Sequence, residues 1–308
     1  MSTETEPLRV GVIGAGRVGA VLASVLESHP GFRVVAAAGE SDASRARAAA
    51  LLPGVPLAKP SVVARACDVL LLTVPDDMLA NVATVLTDAG AIRPGQCVVH
   101  TSGRHGLAVL DRVTEAGARA LAIHPAMTFT GTSVDLTRLD GCVFGVTAEA
   151  TERELAERLV QAWGGRPMWI PEEKRTLYHA SLAHGANHLV TLVAQAVELL
   201  SAAGAESSGL SAADTLRPLL TAALDNALHE GDAALTGPIV RGDVNTVRDH
   251  LAEIAANAPP TLPSYVAMAR ATLDRVVTDG RVLPIRAAAI RRVLDDALVP
   301  RGSTSPLT

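Results

Sequence analysis

The turn Gly14-Ala15-Gly16-Arg17-Val18-Gly19 constrains this chain more than any other stretch. It follows an apolar run, Leu8 to Ile13, and opens a segment to Leu26 with helical spacing. A G-x-G-x-x-G set between a strand and a helix is a dinucleotide-binding signal. Gly14 lets the backbone turn tightly, Gly16 lets it approach a pyrophosphate, and Gly19 lets the helix pack close to the strand. Gly14, Ala15, Gly16, Arg17, Val18 and Gly19 are therefore the expected pyrophosphate-binding residues. The free N–H groups and positive dipole end of the helix would face the phosphates.

Further apolar runs read as strands at Phe32–Ala38, Val69–Val74, Gln96–His100, Ala120–Ile123, Cys142–Val146 and Met168–Ile170. Helical segments lie between them at Arg17–Glu27, Asp42–Leu52, Asp77–Asp88, Leu107–Ala116 and Thr151–Trp163. The alternation predicts an α/β domain over residues 1–170. It would be a doubly wound, largely parallel sheet with ligands at the carboxyl ends of its strands. No strand signal follows Pro171. One long helix is expected from Lys174 to Ala203, then helices at Ser211–His229, Val244–Asn257, Leu262–Asp279 and Pro284–Leu298. Residues 171–300 thus read as an all-α domain and 301–308 as a flexible tail. Leu298-Val-Pro-Arg-Gly-Ser303 matches a thrombin cleavage site and is set aside from functional reasoning.

A net charge of −5 leaves no basic footprint for nucleic acid, and an aromatic content of 2 % leaves little for base stacking. His188 and Glu198 break the longest apolar stretch, so no membrane span is expected. Met1 to Pro7 is polar and acidic and lacks the apolar core of a signal peptide. Cys67, Cys97 and Cys142 are too few and scattered for a disulfide framework and read as small buried hydrophobes. These features predict a cytoplasmic protein. Lysine occurs only at Lys59 and Lys174, so a catalytic lysine has two candidates.

Polar residues fall at the expected strand ends. Glu40 is placed to meet the ribose hydroxyls of NAD, while Arg45 and Arg47 suit the 2′-phosphate of NADP; the sequence leaves the two cofactors open. Val74 and Pro75 are expected to touch the cofactor through their backbone, with Asp76 or Asp77 capping the next helix. Ser102, in His100-Thr-Ser-Gly103, suits an anionic or carbonyl substrate and equally suits a turn. His124, before Pro125, can give a proton to a carbonyl or imine, or be a histidine held in place by hydrogen bonds. Tyr178, Ser181, His184, Asn187 and Thr191 step along one face of the long helix, with His179 and His188 off that stripe. That polar face needs a reason: a substrate, or partners within the protein. In Leu235-Thr-Gly-Pro-Ile-Val-Arg-Gly-Asp243, Thr236 and Gly237 can approach a ligand, and Arg241 can pair with Asp243 or a substrate carboxylate.

Taken together, the glycine turn, His100-Thr-Ser-Gly103, Ile123-His-Pro125, Tyr178-His-Ala and Leu235-Thr-Gly-Pro…Arg241-Gly-Asp243 resemble the Rossmann-like and DUF2520 proteins. That group is similar to the 6-phosphogluconate dehydrogenase-like reductases, whose relatives include pyrroline-5-carboxylate reductase, ketopantoate reductase and the β-hydroxyacid dehydrogenases. The resemblance implies a Rossmann domain followed by a helical substrate and dimerisation domain. It also implies an NAD(P)-dependent oxidoreductase, a homodimer, acting on a small carbonyl, hydroxyacid or imine held between the domains. One departure stands out. The β-hydroxyacid dehydrogenases place a lysine four residues before an asparagine; Asn187 matches, but position 183 is alanine. Proton transfer then falls to His124, His184 or Tyr178, and the expected catalytic set is His124, His184, Asn187 and Ser102. The alternative is a dinucleotide-binding sensor without turnover, which the missing lysine favours.

Overall fold

A computed structural model describes residues 6–205 and 209–299. The expected tail at 301–308 lies outside the described residues. The chain forms two compact units, the first running to Gly185 and the second beginning at Ala186.

The first unit alternates β1 (Leu8–Ile13), α1 (Arg17–Ser28), β2 (Phe32–Ala38), α2 (Asp42–Leu51), α3 (Pro60–Ala66), β3 (Val69–Leu72) and α4 (Asp76–Asp88). It continues with β4 (Cys97–His100), α5 (Asp111–Glu115), β5 (Arg119–Pro125), α6 (Val134–Arg138), β6 (Val143–Ala148), α7 (Arg153–Ala162) and β7 (Arg166–Trp169). The seven strands make one sheet in the order β2-β1-β3-β4-β5-β6-β7. All neighbours are parallel except β5 and β6. The strand order reverses at β1, which places a topological switch beside the glycine turn.

Both faces of the sheet are buried, as doubly wound strands require. In β3, Leu71 joins Val12, Leu22, Leu26, Val99 and Ile123 on one face, while Leu70 and Leu72 join Ile13, Leu79 and Val98 on the other. Each fully buried leucine contributes about 1.5–3 kcal/mol. Trp163, the residue that closes α7, stacks on Phe144 of β6 and donates its indole N–H to the Leu22 carbonyl, tying the antiparallel strand pair to α1. Cys67 and Cys97 are buried as expected, and Cys142 is half-buried.

Two short helices, α3 and α6, carry no clear periodicity and were not expected. Pro60 starts α3 at its first position, a sequence signal for that helix. The long helix expected from Lys174 to Ala203 forms, with a π-helical segment inside it. It consists of α8 (Arg175–Leu182), a wide π-helical turn at Ala183–Asn187, and α9 (His188–Ala202). Alanine and leucine favour helix throughout, so the sequence pattern does not show the π-helical segment.

The second unit holds α9, α10 (Ala212–Glu230), α11 (Val244–Asn257), α12 (Leu262–Thr278) and α13 (Pro284–Asp296). Its core is Val247, Leu251, Val266, Leu273, Val276 and Ile290, with Leu294 of α13. Ser211 caps α10 and Asp243 caps α11 through the N–H groups of Asp214 and Thr246. Asp243 is thus committed to Thr246, and the expected pairing with Arg241 does not form. Leu235, Thr236, Pro238 and Ile239 line a cavity of about 500 Å³ within this unit.

Candidate active site

In-register pairing aligns Ile13, Leu72, His100 and Ala122 across the sheet. The segments that follow them therefore emerge at one edge. The glycine turn comes first. Gly14 has φ +97°, and a Cβ there would lie 2.7 Å from the Thr73 carbonyl. The Gly14 and Ala15 N–H groups both donate to the Ala38 carbonyl, and the Thr73 hydroxyl donates to the Gly14 carbonyl at 2.7 Å. A Cβ on Gly19 would lie 2.2 Å from Thr73 Oγ1, so α1 can approach β3 only because residue 19 has no side chain. Gly16 differs: its Cβ would meet nothing nearer than the Gly14 carbonyl at 3.8 Å. The space in front of Gly16 is open, and no side chain caps α1. These features fit a pyrophosphate at the free N–H groups.

Glu40 is exposed after β2. Arg45 folds back onto the Glu40 carbonyl and onto Asp42, at 2.5 Å. Arg17 and Arg47 converge on Gly131, where a Cβ would be 2.8 Å from each side chain. Val74 abuts Gly14, its N–H 2.9 Å from a Cβ there. Pro75, rather than Asp76 or Asp77, is the residue preceding α4, and the aspartates occupy the first turn without a side-chain cap bond. They still face the positive end of the helix dipole.

The second cluster sits at the ends of β4 and β5. His100 is fully buried; its Nε2 meets the Gly106 carbonyl at 2.8 Å, and its Nδ1 accepts from the Ser102 N–H. Burial pulls its pKa down to about 3. His100 is thus a neutral pin for the loop after β4. Ser102 is buried in that loop, its hydroxyl accepting from the His105 N–H and its carbonyl from Arg175. Its geometry is that of a turn residue.

His124 pairs with Gly145 across the antiparallel strands. A side chain on Gly145 would strike the Tyr178 ring, its Cβ 2.5 Å from Cζ. The missing side chain lets Tyr178 of α8 reach His124, with Oη 2.9 Å from Nδ1. His179 stands edge-on to His124, with ring centroids 6.0 Å apart. Gly103 gives both imidazoles room: a Cβ there would be 2.5 Å from His179 Cδ2 and 3.1 Å from His124 Nε2. Burial, aided by the positive Arg175, holds the His124 pKa down to about 4. At neutral pH the ring is uncharged, so His124 cannot act as a standing imidazolium. Burial likewise raises the Tyr178 pKa.

His184 and Asn187 lie on the exposed π-helical turn, and Thr191 is exposed on α9. Of the expected polar stripe, Tyr178 is buried and the rest is exposed, with the Ser181 and Thr191 hydroxyls donating to the Tyr178 and Asn187 carbonyls. Sequence reasoning missed Arg175 and Gly145, and set His179 aside. A glycine opposite a strand-end histidine was the available signal for Gly145.

The Rossmann-like domain model matches residues 2–125, and the domain of unknown function DUF2520 matches residues 142–272. The chain is a Rossmann-like and DUF2520 protein. Its fold is similar to that of Bacteroides fragilis BF3122, with a TM-score of 0.73 at 21 % identity over 87 % of this chain and 99 % of that one. It is similar to an imine reductase from Myxococcus stipitatus in complex with NADP+, with a TM-score of 0.62 at 18 % identity over 95 % and 100 %. A Plasmodium falciparum pyrroline carboxylate reductase with NADP bound gives 0.55 at 11 % identity over 94 % and 99 %. Comparison with the curated proteins returns no match. In this Rossmann-like and DUF2520 protein the His124–Tyr178 bond joins the two matched stretches: His124 closes the first, and Tyr178 belongs to the second.

Proposed function

We propose that this protein is a nicotinamide-nucleotide-dependent reductase of small carbonyl or imine substrates. The observation that carries the reading is the pairing, on one sheet edge, of an open glycine turn with a half-buried His124 bonded to Tyr178. A bound reduced nicotinamide nucleotide would supply the hydride. Gly14, Ala15, Gly16 and Val18 would offer backbone to the pyrophosphate, Gly19 would set the helix, and Val74 and Pro75 would border the nucleotide. Arg17 and Arg47 favour NADP(H): they converge on Gly131 and form no ion pair among the described residues, whereas Arg45 is already held by Asp42. Glu40 is the competing feature that favours NAD(H). The similarity to NADP-bound imine and pyrroline carboxylate reductase structures supports both parts of the reading.

Within the proposed site His124 acts on the substrate and Ser102 shapes the loop beneath it. His184 and Asn187, on the π-helical turn, are proposed substrate-orienting residues. A homodimer belongs to the same proposal. Val190, Leu192, Leu219 and Leu228 of α9 and α10 are exposed, and Val190 and Leu228 remain 70 % and 76 % accessible. An apolar surface of that kind marks an association site.

The test is NADPH oxidation at 340 nm against a panel of cyclic imines, oxoacids and aldehydes. Turnover of one class is the expected result. Tight nucleotide binding with no turnover across the panel would favour the sensor reading instead.

A further inference from the structure

Arg175 is the most unusual side chain in the first unit. It is fully buried, yet it forms no ion pair with a carboxylate among the described residues. Its terminal nitrogens donate to Ser102 O at 2.6 Å, Gly145 O at 3.3 Å and Thr147 Oγ1 at 3.1 Å, and its Nε has no acceptor. The two carboxylates that act on it through space are engaged elsewhere. Glu172 accepts the N–H groups of Leu107 and Ala108, and Asp76 pairs with Arg104. A buried, uncompensated cation is costly unless a negative charge forms beside it. The group placed to become negative is the Tyr178 phenol, whose ring lies 5.9 Å from the guanidinium.

We propose that Tyr178 and His124 form a proton relay to the substrate, with Arg175 as counter-ion for the phenolate that the relay leaves behind. The proposal rests on the reductase reading and assigns its proton source. A bound reduced nicotinamide nucleotide would supply hydride to the C=O or C=N carbon, which leaves the electron pair of that bond on oxygen or nitrogen. That atom takes the proton from His124 Nε2. His124 Nδ1 takes the proton from Tyr178 Oη, so the imidazole stays neutral throughout. The phenolate faces Arg175 and is later reprotonated from water. The groups facing His124 are His179, Arg175 and Asp76; those facing Tyr178 are Arg175 and Cys142. The chain uses a phenol where the β-hydroxyacid enzymes use a lysine.

The relay can be tested without a substrate. The chain has two tyrosines, so Tyr265→Phe leaves Tyr178 as the one phenol. Absorbance at 295 nm then reads its ionisation against pH. Arg175→Met in this background should lower the ionisation constant at least tenfold, and Arg175→Lys should restore part of it. An unchanged midpoint in the folded Met variant would overturn the counter-ion role. Side-chain NMR of the unaltered protein at pH 7 gives a second, independent reading. The relay requires the Nε2–H tautomer of His124; the Nδ1–H tautomer would overturn it, since no proton would then face the substrate. Both measurements stand apart from nucleotide binding, on which the reductase reading itself depends.

Discussion

At the scale of single residues, burial without charge compensation is the recurring theme. His100 and His124 have pKa values of about 3 and about 4, below the ordinary 6.5. The unfolded chain therefore binds more protons than the folded one between those values and 6.5. Stability is full above that window and falls as pH falls through it. Melting temperatures should hold from pH 7.5 to about 6.5 and then fall towards pH 4.5, for a stability loss on the order of a few kcal/mol. His100→Asn should flatten that slope. For activity, His124→Ala should lower kcat at least a hundredfold, within the usual range for a lost proton-transfer group, with nucleotide affinity almost unchanged. Wild-type turnover in that variant would remove His124 from the mechanism. Ser102 was legible as a polar strand-end residue. Its turn role was not decided by the sequence, because it depends on where His100, His105 and Arg175 come to rest.

At the scale of elements, the glycine turn separates packing from binding. Gly19→Ala places a methyl 2.2 Å from Thr73 Oγ1 and 2.5 Å from the Gly14 carbonyl. Overpacking of this kind should cost about 1–3 kcal/mol, read by urea unfolding. Gly16→Ala meets open space, so unfolding should stay within about 1 kcal/mol of the parent while nucleotide affinity falls at least tenfold. Equal destabilisation by the two substitutions would contradict the assignment of their roles. β1 and β2 begin and end where the sequence pattern places them, because their apolar runs are bounded by Pro7 and Gly14 and by Gly31 and Gly39. The π-helical segment at Ala183–Asn187 has no proline to mark it, and Gly185 between His184 and Asn187 is weak punctuation. A π-helical segment turns successive side chains through a smaller angle than an α-helix does, so His184 and Asn187 leave the α-helical spacing that starts at Tyr178.

At the scale of the whole molecule, the α/β-then-α organisation was legible from periodicity, and so was the edge on which the polar residues gather. Arg175 was not, because a buried arginine whose hydrogen bonds run to two carbonyls and a hydroxyl leaves no local pattern. No helix among the described residues is long and apolar enough to cross a membrane, and no cluster there could hold a metal ion. The apolar faces of α9 and α10 predict a dimer in sedimentation-velocity experiments at micromolar concentration. Leu228→Glu should shift the population towards monomer without loss of helix content.

The most direct measurement of the central claim is a fluorescence titration of the purified protein with NADPH and, separately, NADH. The account predicts saturable binding in the micromolar range, tighter for NADPH, and weakened by Gly16→Ala. No binding of either nucleotide below millimolar concentration would contradict it and leave the glycine turn a purely structural device.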